Sequence, residues 1–256
     1  MEVVILAGGL GTRLSEYTDK IPKPMVPIGG KPILWHIMQR FAEYGHKDFI
    51  IALGYKSELI KDYFLRFAQL NSDFRIDLEK GTIELINSSN TDWKVTLVDT
   101  GEKTATGGRL KRLDDYIHGS TFMMTYGDGV SDIDIDELIR FHEEYGGLAT
   151  VTAVRPPTRF GELTITKNKV TRFAEKPQMD DGWISGGYFV LNKRVLELIE
   201  DEEEMFERNA LETLAERNQL NAYRHHGFWQ CMDTKRDLDT LEEIWVSERK
   251  TPWIGK

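Results

Sequence analysis

The chain has 256 residues and a formal charge of −9, so it is long enough for one large domain or two closely joined ones. Hydrophobic residues make up 40% and charged residues 29%, which is typical of a globular protein, and no apolar run approaches the roughly 20 residues of a membrane helix. The acidic balance disfavours nucleic acid as a partner, and the one cysteine, Cys231, excludes an intrachain disulfide.

The first predicted element is a buried strand at Glu2–Leu6, which starts too early for a signal peptide to precede it. A glycine turn follows directly. Such turns adopt backbone conformations that other residues resist, and their N–H groups can hold phosphate oxygens. Arg13 adds a guanidinium suited to bidentate phosphate contact, and Lys23 is held between two prolines of fixed φ.

Two other phosphate-binding patterns do not match this turn. The dinucleotide fingerprint GxGxxG/A needs a small third residue, and this chain has Leu14 there, which disfavours a hydride-transfer enzyme. The Walker pattern GxxxxGK[ST] is absent. The combination that remains, GGxGTRL followed by PKP, resembles the signature of the sugar-1-phosphate nucleotidyltransferases. The resemblance implies that the residues of this stretch that bind the nucleotide are Leu6, Ala7, Gly8, Gly9, Gly11, Thr12, Arg13 and Lys23. A plain glycine-rich turn with a surface arginine is the alternative.

The order of predicted elements indicates the fold. Helices at 32–44 and 58–70 flank a strand at 47–53, which predicts a parallel sheet with right-handed crossovers. The stretch 73–98 breaks the alternation with three short strands, as an excursion that either reaches a neighbouring subunit or forms a surface flap. We predict a Rossmann-like, mostly parallel α/β fold with a nucleotide-binding core at 1–155 and a sugar-phosphate lobe at 156–256, or one integrated domain.

A second glycine-containing loop is predicted to hold the base. Its sequence, TGGRLKR, contains Thr106, Gly107, Gly108 and Arg109. Glycines and short polar groups allow close approach to a flat ligand and hydrogen bonds to its edge. This form is similar to that of the glucose-1-phosphate cytidylyltransferases, rather than the uridylyl or thymidylyl branches. The resemblance implies that Arg109 contacts the base or a phosphate.

Two motifs supply candidate metal ligands. The strand at Thr121–Tyr126 ends in Gly127-Asp128-Gly129, and ligands of open α/β sheets bind at the carboxyl ends of strands. Asp128 is therefore a magnesium-ligand candidate, with a simple turn aspartate as the alternative. The run GFWQCMDT at 227–234 resembles the closing GFWxxMDT of the family, which implies that Asp233 is the second Mg²⁺ carboxylate.

The C-terminal part carries the predicted sugar-phosphate site. Glu175-Lys176-Pro177 matches an EKP of the family, which implies that Lys176 contacts the sugar phosphate and Glu175 the sugar hydroxyls. Ser185 stands where the cytidylyltransferases usually have Asn, and a serine offers one donor where an asparagine offers two. The remaining residues predicted for this site are Gly127, Gly186 and Gly187.

The resemblance spans residues 1 to about 250 and implies a reaction. Glucose 1-phosphate attacks the α-phosphorus of CTP with Mg²⁺, giving CDP-glucose and pyrophosphate, with Arg13, Lys23, Asp128 and Lys176 as catalytic residues. The same chemistry with UTP or dTTP, and a non-catalytic nucleotide-sugar-binding regulator, remain as alternatives. The resemblance also implies a cytoplasmic homo-oligomer, a trimer or hexamer, that acts in O-antigen polysaccharide synthesis.

Overall fold

The computed structural model describes residues 1–87, 91–156, 162–166, 169–174, 182–247 and 251–255. The strands in these ranges are β1 Val3–Leu6, β2 Pro27–Ile28, β3 Lys31–Pro32, β4 Asp48–Leu53, β5 Asp73–Asp77, β6 Thr82–Asn87, β7 Lys94–Asp99, β8 Thr121–Tyr126, β9 Gly129–Ser131, β10 Ala149–Val154, β11 Glu162–Thr166, β12 Lys169–Ala174, β13 Ile184–Asn192, β14 Leu220–Arg224 and β15 Trp229–Cys231. The α-helices are α1 Ser15–Thr18, α2 Ile33–Glu43, α3 Ser57–Leu65, α4 Phe67–Leu70, α5 Thr106–Lys111, α6 Ile135–Tyr145, α7 Asn209–Glu216 and α8 Lys235–Ser247.

A seven-stranded sheet forms the centre of the molecule, in the order β14-β10-β13-β8-β1-β4-β7. Its neighbouring strands pair in parallel, except where β13 runs antiparallel to both β10 and β8. The predicted Rossmann-like, mostly parallel α/β architecture is therefore confirmed. Strands from both sides of residue 155 share this sheet, and the division into two domains stays a prediction.

Both faces of the sheet are covered, which explains the uninterrupted apolar run of β1. Val3 and Ile5 pack into one core cluster, and Val4 and Leu6 pack into the cluster on the opposite face. Helices α2, α6 and α8 contribute to the first cluster, whereas α5 and α7 contribute to the second. A strand buried on both sides has no polar face, so its residues do not alternate.

The excursion differs from its prediction in one strand. β5 and β6 form a separate two-stranded hairpin, but β7 pairs in parallel with β4 along its whole length. The prediction that all three strands leave the sheet is therefore wrong for β7. Its alternating pattern could not decide between an edge strand of the main sheet and a third strand of a hairpin.

The C-terminal tail also differs from its prediction. Residues 252–256 follow the last predicted helix and are expected to fray, as chain ends usually do, but the Trp253 side chain is fully buried. Its ring stacks on Phe228 with centroids 5.4 Å apart, and its Nε1–H donates to Nδ1 of His36 at 3.3 Å. An aromatic side chain that buries this much area is enough to fix a short tail.

The apolar spacing predicts a helix from Phe206, but α7 starts three residues later, at Asn209. Phe206 lies in a stretch that tertiary contacts hold, since its N–H donates to the Thr106 hydroxyl at 3.0 Å. The preceding carbonyls of Glu202 and Glu204 accept from the N–H groups of Ala105 and Gly107. The segment 202–206 is thus fixed to the start of α5.

Candidate active site

The carboxyl ends of β1 and β8 carry the two groups around which the site is built. The glycine turn follows β1, and Gly11 adopts φ 63°, a conformation that favours glycine. The carbonyl oxygen of Leu6, the last residue of β1, accepts from the N–H of Gly127, which follows β8. This bond brings Asp128 next to the glycine turn.

Short antiparallel pairing brings the second carboxylate to the same place. β9 pairs with β15, so that Gly129 lies opposite Cys231, and the N–H of Met232 donates to the Asp128 carbonyl at 2.8 Å. Asp128 directly precedes β9 and Asp233 closely follows β15, so the pairing places both aspartates at one end of this small sheet. Residues far apart in the chain are thereby joined in one site.

Lys23 lies between the two carboxylates. Its Nζ is 2.6 Å from Oδ2 of Asp128 and 2.6 Å from Oδ1 of Asp233. The Lys23 side chain is 11% exposed. Its backbone lies between Pro22 and Pro24 and begins a short 3-10 turn, as expected for a charge held in one position. The Arg13 guanidinium, 70% exposed, contacts the other Asp233 oxygen at 2.9 Å.

These ion pairs decide the charge states of the cluster. Burial opposes the ammonium of Lys23, but the negative charges of Asp128 and Asp233 outweigh it and raise the pKa of Lys23. Burial likewise opposes the Asp233 carboxylate, but its hydrogen bond from Lys23 and the charges of Lys23 and Arg13 lower the pKa of Asp233. The cluster therefore holds fixed charges of both signs at neutral pH.

A cavity of about 660 Å³ opens above the cluster. Its lining includes Pro24, the loop residues Glu102, Lys103, Thr104 and Ala105, and two residues that the sequence did not single out, Tyr126 and Met205. Met205 lies in an acidic run that carries no recognisable binding pattern. The predicted nucleotide and metal residues that line the same cavity are Leu6, Ala7, Gly8, Gly9, Gly11, Thr12, Arg13, Lys23, Thr106, Arg109, Asp128 and Asp233, and Gly127, predicted for the sugar-phosphate site, lines it too.

Arg109 is buried and supports the cavity wall from behind. Its guanidinium donates to the carbonyl oxygens of Gly8, Leu53, Gly101 and Glu102 and to the Thr100 hydroxyl. These contacts tie the glycine turn to the loop after β7. The predicted contact with a base or phosphate stays a prediction, whereas a structural tie between the two loops is observed.

Gly107 and Gly108 face the protein's own backbone rather than the cavity. A Cβ added at Gly107 would lie 2.6 Å from the Glu204 carbonyl oxygen, and one at Gly108 would lie 2.1 Å from that of Glu202. Glycine is therefore needed here for the close approach of the segment 202–206. We expected these glycines to make room for a flat ligand, and their contact with a base stays a prediction.

A second, smaller pocket of about 80 Å³ adjoins the cavity at Tyr126 and Asp128. It contains the predicted sugar residues Ser185, Gly186 and Gly187, together with Trp229 and Cys231. The Trp229 indole N–H donates to the Gly186 carbonyl at 2.7 Å, and the Ser185 hydroxyl accepts from the Gly187 N–H at 3.3 Å. The sugar role of these residues remains a prediction, as do the roles of Glu175 and Lys176, which lie outside the described residues.

A lone cysteine with no reactive pattern around it is expected to be a small buried hydrophobic residue, but Cys231 is half-buried in the wall of this small pocket. Burial, and after it the charges of Asp233 and Asp128, raise the pKa of its thiol to about 12. The thiol therefore stays protonated at neutral pH, and a nucleophilic thiolate is not available for catalysis.

The two aspartates are a plausible pair of ligands for a divalent cation. Their oxygens already face one cation, the Lys23 ammonium, and carboxylate oxygens are the ligands that Mg²⁺ prefers. No three His, Cys, Asp or Glu side chains converge as metal ligands in the described ranges, at this site or at any other. The described helices also include none with the length and apolarity needed to cross a membrane.

Comparison with known proteins places this constellation in a family. The family model described as nucleotidyl transferase matches residues 2–245. The chain belongs to this family. Its members generally use a divalent metal ion, which agrees with the paired carboxylates. The match covers the glycine turn, both aspartates and the sugar-pocket glycines.

Individual relatives agree with this assignment. The chain is 50% identical over 254 residues to the glucose-1-phosphate cytidylyltransferase of Salmonella typhimurium, covering 99% of this chain and 98% of that protein. The crystal structure of HddC from Yersinia pseudotuberculosis is 27% identical, covers 95% of this chain and 99% of that one, and superposes with a TM-score of 0.70. A further structure of HddC is a complex with GMP-PN. Apo UDP-glucose pyrophosphorylase, at 18% identity and a TM-score of 0.68 over 97% and 99% of the chains, shares the nucleotide-diphospho-sugar transferase fold.

Proposed function

We propose that the protein transfers a cytidylyl group from CTP to α-D-glucose 1-phosphate, giving CDP-glucose and pyrophosphate. The observation that carries this proposal is the meeting of Arg13, Lys23, Asp128 and Asp233 at the mouth of one cavity, beside the glycine turn. The choice of base and sugar rests on the 50% identity with the Salmonella typhimurium glucose-1-phosphate cytidylyltransferase. A nucleotide would fill the larger cavity, and the hexose the adjoining pocket.

The chain's own residues provide positioning and charge rather than covalent chemistry. A phosphate oxygen of the sugar phosphate forms a bond to the α-phosphorus, while the bond from the α-phosphorus to the bridging oxygen breaks and pyrophosphate leaves. Lys23 and Arg13 would hold the triphosphate and stabilise the charge on the departing pyrophosphate. No general base is required, because the attacking phosphate is already ionised.

Asp128 and Asp233 would hold Mg²⁺. The ion, when bound, neutralises charge on the α-phosphate where two anions must meet. Lys176 would position the attacking phosphate and Glu175 would contact the sugar hydroxyls, as the family resemblance implies. Ser185, Gly186 and Gly187 would form the rest of the sugar contact.

We also propose that the protein is a homo-oligomer, because the β5–β6 hairpin carries an apolar face in solvent. Phe74 pairs with Leu85 and Ile76 with Ile83, and each of these side chains is at least 40% exposed. Two strands alone are marginally stable, and exposed apolar patches indicate interaction surfaces. A second copy of the chain would cover this face. A cytoplasmic location is a separate matter and stays a prediction.

The test is pyrophosphate release by the purified protein with Mg²⁺ and glucose 1-phosphate, against CTP, UTP, dTTP, ATP and GTP separately. We expect release with CTP and none in the presence of EDTA. Release with UTP or dTTP instead of CTP would support the proposed reaction but show that the assigned base is wrong. Nucleotide binding without release from any of the five would indicate a regulatory binding protein instead.

A further inference from the structure

One side chain forms part of the wall of both pockets. Tyr126, the last residue of β8, lines the nucleotide cavity and the small sugar pocket. Its ring lies directly behind Gly187, where an added Cβ would come within 2.8 Å of it, and Gly187 has φ +77°. The position of the Tyr126 ring therefore sets the position of the Ser185–Gly187 turn.

The phenol of Tyr126 is held by a residue from a different part of the chain. Its hydroxyl donates a short hydrogen bond to Oε1 of Glu207, which lies just before α7. The phenol O–H is the donor in this pair, because a carboxylate oxygen accepts.

The second oxygen of the same carboxylate serves the nucleotide side. Oε2 of Glu207 accepts from the Thr106 hydroxyl at 2.5 Å, at the first residue of α5. The Thr106 oxygen in turn accepts from the N–H of Phe206 at 3.0 Å. Thr106 lines the nucleotide cavity next to Ala105, so this carboxylate determines where that wall of the cavity lies.

We propose that Glu207 is a positioning residue that couples the two subsites, because each of its oxygens holds a hydroxyl from a different pocket wall. This positioning role deepens the proposed function and rests on it. Glu207 itself does not line either pocket, and it acts through Tyr126 and Thr106. Charge-assisted hydrogen bonds are short and strong, so one carboxylate is able to fix both walls.

The experiment compares initial rates over a matrix of CTP and glucose 1-phosphate concentrations. We expect Glu207→Ala to raise both KM values about fivefold or more while kcat stays within about threefold, since hydrogen bonds to a charged group are lost away from the reacting atoms. Tyr126→Phe should raise mainly the KM for glucose 1-phosphate, and Thr106→Val mainly that for CTP. Glu207→Gln keeps one acceptor oxygen and places an NH₂ donor where the other was, so it should restore only part of the loss.

A double mutant separates positioning from general loss of stability. If Tyr126 acts through Glu207, then Tyr126→Phe adds little to the KM for glucose 1-phosphate once Glu207 is alanine. The matched control is Glu203→Ala, an exposed glutamate of the same segment, which should leave both KM values unchanged. Tyr126→Phe and Thr106→Val keep the shapes of their side chains. They test the two contacts of Glu207 separately if Glu207→Ala does not fold.

Two results would overturn the inference in an active protein: unchanged KM values in folded Glu207→Ala, or additive effects of the two substitutions. Absence of turnover in the wild type would instead refute the proposed function. In that case, calorimetric titration with CTP and with glucose 1-phosphate replaces the rates. Equal dissociation constants for the wild type, Glu207→Ala, Tyr126→Phe and Thr106→Val would then overturn the inference.

Discussion

Lys23 is the residue on which the charge balance of the site depends. Its ammonium lies within 2.6 Å of a carboxylate oxygen of each aspartate, and the flanking prolines restrict its backbone. Without the Lys23 ammonium, the two neighbouring carboxylates would repel each other with no cation between them. Lys23 therefore keeps Asp128 and Asp233 together and is also placed to contact a triphosphate.

Replacing Lys23 with alanine should lower turnover by about two to four orders of magnitude, the scale of a single electrostatic stabiliser. Asp128→Asn should have an effect of the same order, because it removes a charge expected to hold the metal. Steady-state pyrophosphate release with CTP and glucose 1-phosphate measures both. Lys20→Ala, an exposed lysine in the same loop, is the control. Turnover within tenfold of the wild type in either site variant would refute the assigned role.

His36 is a buried residue whose protonation should control stability. Burial lowers its pKa to about 4, and its ring is wholly inaccessible. Its Nε2 is 2.8 Å from the Ile28 carbonyl oxygen, and its Nδ1 accepts from the Trp253 indole N–H. Both contacts fit the neutral ring that donates from Nε2, because a protonated Nδ1 could not accept.

The stability of the wild type should therefore fall as the pH falls. His36 takes up a proton near pH 6.5 in the unfolded chain but only near pH 4 in the folded one. The free energy of unfolding is therefore highest above pH 6.5 and decreases as the pH falls from 6.5 towards 4. We expect His36 to account for about 2 kcal/mol of the loss in unfolding free energy between about pH 8 and pH 5. Urea titrations of wild type and His36→Gln measure this difference. Equal pH dependence of the two proteins would contradict it.

At the scale of elements, the glycine turn is held in shape by the short helix α1. The Thr18 hydroxyl lies 3.1 Å from the Gly11 carbonyl oxygen and 3.2 Å from that of Leu14. The Thr18 methyl packs under Gly11, where an added Cβ would lie 2.8 Å from it. From the other side, Tyr55 and Lys56 donate to the Thr18 carbonyl. The conformation of the turn thus depends on a residue that does not line the cavity.

Thr18→Val should raise the KM for CTP by about twofold to tenfold, because it keeps the shape of the side chain but removes the hydroxyl that bonds to the carbonyl oxygens of Gly11 and Leu14. Thr18→Ser keeps the hydroxyl and should stay closer to the wild type. Initial rates at varied CTP measure both variants, and circular dichroism confirms that they fold. A KM for CTP in Thr18→Val equal to that of the wild type would show that the turn needs no such support.

At the scale of the whole molecule, the β5–β6 hairpin is the feature that a single chain leaves uncovered. Ile76→Glu combined with Ile83→Glu should shift the protein towards the monomer, because charges on the apolar face oppose its burial against a second copy. Light scattering after size-exclusion chromatography gives the mass. Arg75→Ala is the control, since Arg75 pairs with Glu84 on the other face of the hairpin. A monomeric wild type, or an unchanged mass in the double variant, would contradict the proposal.

Short sequence patterns were enough to predict the local elements and the charged residues that meet at the site. The apolar run of β1, the glycine turn after it and the two prolines around Lys23 are local features, and their structure follows from sterics and burial within a few residues. The pattern predicts a helix at Ile135–Tyr145, and α6 has these bounds, since the apolar spacing and the Asp134 side chain that accepts from the Glu137 N–H are both local. The family resemblance likewise depends on short motifs in a fixed order.

Only the tertiary structure decided which residues support that chemistry. Arg109, Gly107 and Gly108 were predicted from their local pattern as ligand contacts, but their described partners are backbone groups distant in the chain. The same reason explains why the sequence misplaced Trp253 and β7 and missed Glu207. Their partners, which are His36, β4 and Tyr126 respectively, are distant in the chain. A sequence pattern reports what a residue is able to contact, and the fold selects which partner is within reach.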